Sequence, residues 1–188
     1  MIDWKAEPAG VSDPGYNLEN GGLVRPRRRL NIEIVAKHGH LRRLQVVWEK
    51  HPVYFITVCV ADRRPLLAND AAANILREEW KGLRERHGWT VGKYVVMPDH
   101  VHFFVTAERS AAKSLSETIG HWKQWSAKRI LGIQNLAAPL WQPEFFDHLL
   151  RSDESRSEKW SYAQHNPVRA GLVATCDEWP YLGWIDFE

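Results

Sequence analysis

Two histidines separated by one residue, His100 and His102, lie inside the apolar segment that runs from Val95 to Phe104. In a β-strand, residues two apart project from the same face of the sheet, whereas Val101 between them faces the opposite way. Neutral imidazoles bind divalent transition metals, and two of them leave coordination positions open for water, an amide or a phosphate oxygen. The pair therefore suits metal-assisted chemistry on a phosphate, although the spacing alone favours a simpler interpretation as a polar, solvent-facing sheet edge.

A second pair of chemically useful side chains, Tyr162 and Asn166, lies near the C-terminus. A polar helix is predicted from about 153 to 166, ended by Pro167, and residues four apart share a helix face. A phenol nucleophile and an amide metal ligand would then stand one turn apart. A packed ring followed by a helix cap gives the same spacing, so only the combination with the histidine pair favours catalysis.

The elements that must position these side chains alternate between strand and helix. The patterns predict a central strand at 53–60, a helix from Asn69 or Asp70 to Gly88, strands at 90–97 and 101–106, a helix at 113–131 and an edge strand at 140–146. This order, β-α-β-β-α-β with an added C-terminal helix that carries Tyr162, predicts an α+β fold of the ferredoxin-like, split βαβ type. Two helices would cover one face of an antiparallel sheet, and the other face would stay free for a ligand.

The composition is that of an ordinary globular protein, with 44% apolar and 26% charged residues in 188, which indicates one domain with extensions. Residues 1–47 are predicted to form a flexible tail followed by a basic arm, and residues 48–188 the catalytic domain. Ten Trp exceed the needs of one core, so some rings are candidates for stacking surfaces. Without an apolar signal segment, a membrane-length apolar run or a CxxC pair, the chain is expected to be cytoplasmic.

Several separated motifs carry a family resemblance that runs from about Trp48 to Trp184. They are Tyr54 to Val58, Met97-Pro98-Asp99-His100-Val101-His102, Leu140-Trp141-Gln142-Pro143, Phe146-Asp147-His148, and Tyr162 together with Asn166-Pro167-Val168-Arg169-Ala170-Gly171-Leu172-Val173. In these motifs the chain resembles the IS200-like transposases, which have an HUH motif and a single catalytic tyrosine, and especially their REP-associated branch.

The resemblance implies a nuclease core in which His100, His102 and Asn166 bind Mg²⁺ or Mn²⁺ and Tyr162 is the nucleophile. The substrate it implies is single-stranded DNA beside a hairpin of the repetitive extragenic palindrome type. Attack by Tyr162 would leave a 5′-phosphotyrosine and a free 3′-OH, and reversal would join a strand without ATP. A monomer in the bacterial cytoplasm, associated with the nucleoid, is expected.

Binding such DNA would use cations for phosphates and aromatic rings for unpaired bases. We expect some of the three rings of Trp48, Trp125 and Trp141 to stack bases. The predicted DNA-binding set is Arg25, Arg27, Arg28, Arg29, Arg42, Arg43, Trp48, Arg63, Arg64, Lys123, Lys128 and Arg129.

Two other functions are compatible with the same residues. A domesticated hairpin-binding protein would keep the fold and the basic arm with little or no cleavage. A metal-dependent hydrolase would use His100 and His102 to activate water, with Tyr162 in a structural role.

Overall fold

The computed structural model describes residues 52–108, 113–150 and 153–188. The predicted tail and basic arm, residues 1–47, lie outside this part of the chain, and so does Trp48. The division into arm and catalytic domain therefore stays a prediction.

The described residues form an antiparallel sheet and helices, which confirms the predicted α+β, ferredoxin-like plan. The strands are β1 (Val53–Cys59), β2 (Trp89–Val96), β3 (His100–Ala107), β4 (Phe146–Leu150) and β5 (Leu182–Trp184). The helices are α1 (Asp70–Lys81), α2 (Leu83–His87), α3 (Leu115–Gln134), α4 (Asp153–Gln164) and α5 (Asn166–Arg169), with short 3-10 turns at Ala61–Arg63 and Cys176–Glu178. None of the helices in the described residues is long and apolar enough to cross a membrane.

The sheet has the strand order β4-β1-β3-β2-β5, with β3 at its centre between β1 and β2. In the antiparallel register, Thr57 of β1 lies opposite His102 of β3 on one side and opposite Phe146 of β4 on the other. Directly opposed residues share a face of the sheet. The register therefore sets which side chains accompany the histidines.

The main core lies between one face of the sheet and helices α1 to α3. Trp80 and Trp122, both almost fully buried, stack in this core with their ring centroids 5.5 Å apart and an interplanar angle of 6°. Trp141 is also buried, and its Nε1 donates to the Ser126 hydroxyl oxygen at 3.0 Å. The prediction that Trp141 stacks bases is therefore wrong, because its ring has no free face.

The opposite face of the sheet is largely covered, which corrects the prediction that it stays free. The strands carry apolar side chains on both faces, and Phe55, Val95 and Phe104 form a second core with Ala163 of α4. Trp160 of α4 packs on Phe104, with ring centroids 6.3 Å apart. Apolar surface on both sides of a strand must be buried, so α4 and the C-terminal segment cover this face.

The predicted helix from 69 to 88 is two helices, α1 and α2, with Gly82 between them. Asn69 caps α1, because its side-chain oxygen accepts a hydrogen bond from the Ala72 backbone N–H at 3.0 Å. Gly88 ends α2 in the left-handed conformation, φ 74°, which glycine adopts without steric cost. The two predicted ends are thus confirmed, and the break at Gly82 is new.

The predicted edge strand at 140–146 is wrong, since β4 begins where that range ends. Before β4 only Trp141 makes a strand-like bridge, to Val60. Pro143 has no N–H to donate to a ladder, and the Lys123 ammonium instead donates to the carbonyl oxygens of Gln142 and Pro143, both at 2.7 Å. This stretch is therefore a tethered loop that leads into the strand.

Candidate metal and nucleophile site

His100 and His102 project from the same face of β3, as the alternation predicts. Their ring centroids are 4.8 Å apart and the rings are nearly perpendicular, at 80°. Val101 between them is fully buried in the main core. The two imidazoles are therefore close enough to contact one ion.

His102 is fixed by two contacts within the sheet. Its ring stacks on Phe55 with centroids 5.2 Å apart, and its Nδ1 lies 2.8 Å from the hydroxyl oxygen of Thr57. Burial lowers the pKa of His102 well below its ordinary value, and the positive charges of His100, Arg63 and Arg169 lower it further. The ring is therefore held neutral, which is the form that binds metal, and its Nε2 is the nitrogen left for a ligand.

His100 is fixed by a carboxylate. Its Nδ1 lies 2.6 Å from Asp99 Oδ1, and the other carboxylate oxygen of Asp99 is 2.8 Å from Arg63 Nε. Burial works to raise the pKa of Asp99, but the hydrogen bond and charge of His100 and the charge of Arg63 outweigh it, so the pKa lies below its ordinary value. A carboxylate can only accept, so His100 donates its Nδ1–H to Asp99, and Nε2 is the ring nitrogen left to face a metal.

Arg63 supports this arrangement from an unusual backbone turn. Asp62 and Arg63 both have left-handed backbone conformations, with φ 56° and 55°. Besides its ion pair with Asp99, Arg63 donates from Nη1 to the Cys59 sulfur at 2.8 Å. Burial raises the pKa of the Cys59 thiol despite the opposing effect of Arg63, so Cys59 acts here as a neutral acceptor.

Tyr162 lies near the end of α4 and is 57% exposed, whereas its neighbour Ala163 is fully buried in the second core. Asn166 is not on the same helix, which corrects the prediction of one shared helix face: α4 ends at Gln164, and Asn166 begins α5. Pro167 lies in the first turn of α5. Backbone N–H groups there have no partner within the helix, so the N–H that proline lacks costs no hydrogen bond.

Arg169 joins the two helices. Its guanidinium carbon lies 4.1 Å from the Tyr162 ring centroid, and Nη2 donates to the Tyr162 carbonyl oxygen at 2.9 Å and to the Asn166 side-chain oxygen. Its charge also lowers the pKa of His102. Arg169 therefore contacts both Tyr162 and Asn166, and its charge acts on His102.

Three residues of the site, Thr57, Asp99 and Arg169, have no role predicted from the sequence. For Asp99 a signal was present, since a carboxylate directly precedes the first histidine at a strand start. For Arg169 the signal was weaker, a cation three residues after Asn166. Thr57 gave none, because only the sheet register brings it to His102.

No group of three or more His, Cys, Asp and Glu side chains suited to a metal ion occurs among the described residues. A metal at the histidine pair would therefore need other oxygen donors, such as the Asn166 amide, water or a phosphate. Two imidazole nitrogens with oxygen donors suit Mn²⁺, and the oxygen donors suit Mg²⁺. The donor set fits the predicted cofactor in chemical type.

The predicted DNA-binding cations make intramolecular contacts where the structure describes them. Arg64 donates to the carbonyl oxygens of Ala61 and Pro139, and Arg129 pairs with Glu78 and Glu79. Lys128 lies over the half-exposed Trp125 ring, 5.2 Å from its centroid. The remaining members, Arg25, Arg27, Arg28, Arg29, Arg42, Arg43 and Trp48, lie outside the described residues, so the DNA-binding set stays a prediction.

The comparisons with known proteins agree on one family. A family model described as "Transposase IS200 like" matches residues 50–158, more than half of the chain. The chain is similar to a REP-associated tyrosine transposase of Escherichia coli, with 26% identity over 132 residues, 70% of this chain and 76% of that protein. A Haemophilus influenzae relative assigned to the same group is 23% identical over 143 residues, 70% of this chain and 79% of that protein.

A solved structure shares the fold. It is a REP-associated tyrosine transposase bound to a REP hairpin, and it matches with a TM-score of 0.61 and 23% identity over 76% of this chain and 82% of that one.

Proposed function

The chain belongs to the IS200-like transposase family, and from that premise we propose that it is a metal-dependent enzyme that nicks and joins single-stranded DNA through a covalent tyrosine intermediate. One observation carries the proposal. Two histidines with their Nδ1 atoms already engaged lie on one sheet face, and α4, which carries Tyr162, packs on that same face through Ala163. A nucleophile and a set of metal donors therefore converge.

The proposed metal site consists of His100 and His102 through Nε2 and of the Asn166 amide oxygen. Mg²⁺ or Mn²⁺ bound there would supply Lewis-acid stabilisation of a phosphate oxygen. Asp99 and Thr57 orient the two rings, and burial keeps His102 neutral. The chain thus arranges its donors before any substrate binds, which lowers the cost of binding.

Tyr162 would attack the scissile phosphorus in line with the departing 3′ oxygen. A bond forms between the phenol oxygen and phosphorus, the phenol loses its proton, and the 3′ oxygen leaves and is protonated to a hydroxyl. A neutral phenol is a weak nucleophile, and nearby positive charge stabilises the phenolate. Arg169, over the Tyr162 ring, is positioned to supply that charge.

The proposed substrate is a single strand beside a DNA hairpin of the REP type. Support comes from the E. coli relative, named REP-associated, and from the related structure bound to a REP hairpin. The predicted monomer is part of this proposal, because α4, which carries Tyr162, packs within one chain on the sheet face that carries the histidines. We propose that a single copy is sufficient for the cleavage step.

The test is an end-labelled pool of single-stranded hairpin oligonucleotides incubated with Mn²⁺ and resolved on a denaturing gel. Wild type should form a covalent protein–DNA adduct, and Tyr162→Phe should lose it while keeping hairpin affinity within a few-fold. Tyr181→Phe, which removes a phenol hydroxyl elsewhere, serves as the matched control and should behave as wild type.

The other outcomes select the alternatives. Cleavage that survives in Tyr162→Phe and leaves no adduct would establish the water-activating hydrolase. Hairpin binding with neither cleavage nor adduct, in Mg²⁺ and in Mn²⁺, would establish the domesticated binding protein.

A further inference from the structure

The sheet face that carries the histidines also carries an exposed aromatic ring, Phe146. Thr57 of β1 lies opposite His102 and also opposite Phe146, so these three residues form one row across adjacent strands. Strands in a sheet are about 4.8 Å apart. Two strand spacings place the base of the Phe146 side chain about 10 Å from that of His102.

The ring is presented by a rigid support. Phe145, directly before it, is buried in the main core, whereas Phe146 is 53% exposed. The loop that leads into β4 is held by Lys123, which donates to the Gln142 and Pro143 carbonyl oxygens. The backbone that carries the ring is therefore anchored, which lowers the entropic cost of ordering this position when a ligand stacks on the ring.

An exposed phenylalanine is ordinary by itself, and the position of this one distinguishes it from the other exposed rings. Trp125 is similarly exposed but lies on α3, which packs on the opposite face of the sheet. Trp184 lies on β5, the strand at the other edge of the sheet. Of these three rings, only Phe146 stands in the row of His102.

We propose that Phe146 is a stacking site for an unpaired nucleobase of the DNA strand, within the first three nucleotides from the scissile phosphate. This inference rests on the proposed function, since it concerns the same site and the same substrate. Stacked nucleotides advance by about 3.4 Å along a strand, so three of them span the separation of about 10 Å. Aromatic rings bind unpaired bases with little sequence preference because every base has a π-face.

The experiment uses the full chain in the Tyr162→Phe background, so that the DNA stays intact. The probe is the hairpin oligonucleotide with 2-aminopurine placed singly at three positions on each side of the cleavage site. Stacking on Phe146 should quench the fluorescence of one of these positions at saturating protein. Adding Phe146→Ala should relieve the quenching and weaken binding by about fivefold or more, whereas Phe146→Trp should retain both.

Trp184→Ala is the matched control, because it removes an equally exposed ring from the other edge of the sheet, and it should leave the quenched position unchanged. Quenching and affinity that are the same in Phe146→Ala as in its parent would overturn the inference. So would a mass measurement in which Phe146→Ala converts a dimer into a monomer without an effect on DNA, since the ring would then contact a second copy. Failure of the proposed function can be told apart from failure of this inference, because it appears as the absence of a covalent Tyr162–DNA adduct in wild type.

Discussion

Asp99 offers the sharpest test of how the histidine pair is held. In Asp99→Asn the amide oxygen can still accept from His100 Nδ1, but the negative charge that His100 and Arg63 share at 2.6 and 2.8 Å is lost. The lone pair on His100 Nε2 becomes less basic, and the ring is less firmly oriented. We therefore expect weaker metal binding with an intact fold.

The expected magnitude follows from the type of contact. Replacing a carboxylate that orients a metal-bound histidine costs about 10- to 100-fold in affinity, or about 1.4 to 2.7 kcal/mol. Asp99 is three-quarters shielded from solvent, so screening by water should not remove the effect. Retention of one hydrogen bond places the expected loss near the lower end, about tenfold.

The assay is calorimetric titration of the DNA-free protein with Mn²⁺. The matched control is Glu108→Gln, which removes a partly shielded carboxylate from its pair with Arg84 near the opposite end of β3. The control should bind Mn²⁺ as wild type does. Equal affinity in Asp99→Asn and wild type would refute the positioning role, and a ¹⁵N spectrum in which His100 carries its proton on Nε2 would refute it independently.

Four further predictions concern the rest of the molecule. Deleting residues 1–47 should weaken hairpin binding and reduce the slope of log affinity against log salt, measured by anisotropy, because phosphate contacts are removed. Arg129→Ala should lower the free energy of unfolding by about 1 kcal/mol through its lost pair with the buried Glu79 carboxylate, since water screens the pair of this partly exposed side chain. DNA affinity should be unchanged; a normal unfolding curve with weaker DNA binding would favour the predicted phosphate contact. Trp80→Ala should cost about 3 to 5 kcal/mol in urea unfolding, against a negligible effect of Trp125→Ala. Burial, helped by Lys113, His121 and Arg86, lowers the pKa of His87, so the unfolded state takes up its proton first and stability should fall as the pH drops below about 6.5, less steeply in His87→Gln.

The sequence predicts well those elements whose signal is local. The alternation around Val101 placed both histidines on one face, and Asn69 and Gly88 marked the ends of the α1–α2 segment. Each of these signals lies within a few residues of the feature it predicts. The α+β, split βαβ plan followed from the order of the element types, whereas β5 was not predicted.

The parts that the sequence did not predict depend on distant contacts. Thr57 and His102 are 45 residues apart, and no periodicity connects them. β4 was placed too early, because Phe146 and His148 are exposed on an edge strand and give no alternation of buried residues. The sequence did not predict that α4 covers the sheet face that carries the histidines. Few side chains of this otherwise polar helix make the contact, chiefly Trp160 and Ala163.

The left-handed turn at Asp62 and Arg63 has a consequence for evolution in the laboratory. Such a backbone costs a residue with a side chain about 1 to 2 kcal/mol, a cost that glycine does not bear. Asp62→Gly should therefore raise the melting temperature, although glycine usually destabilises. Because glycine adopts the same turn, Arg63 keeps its ion pair with Asp99, so a selection for heat resistance alone would reach this position without a loss of metal affinity.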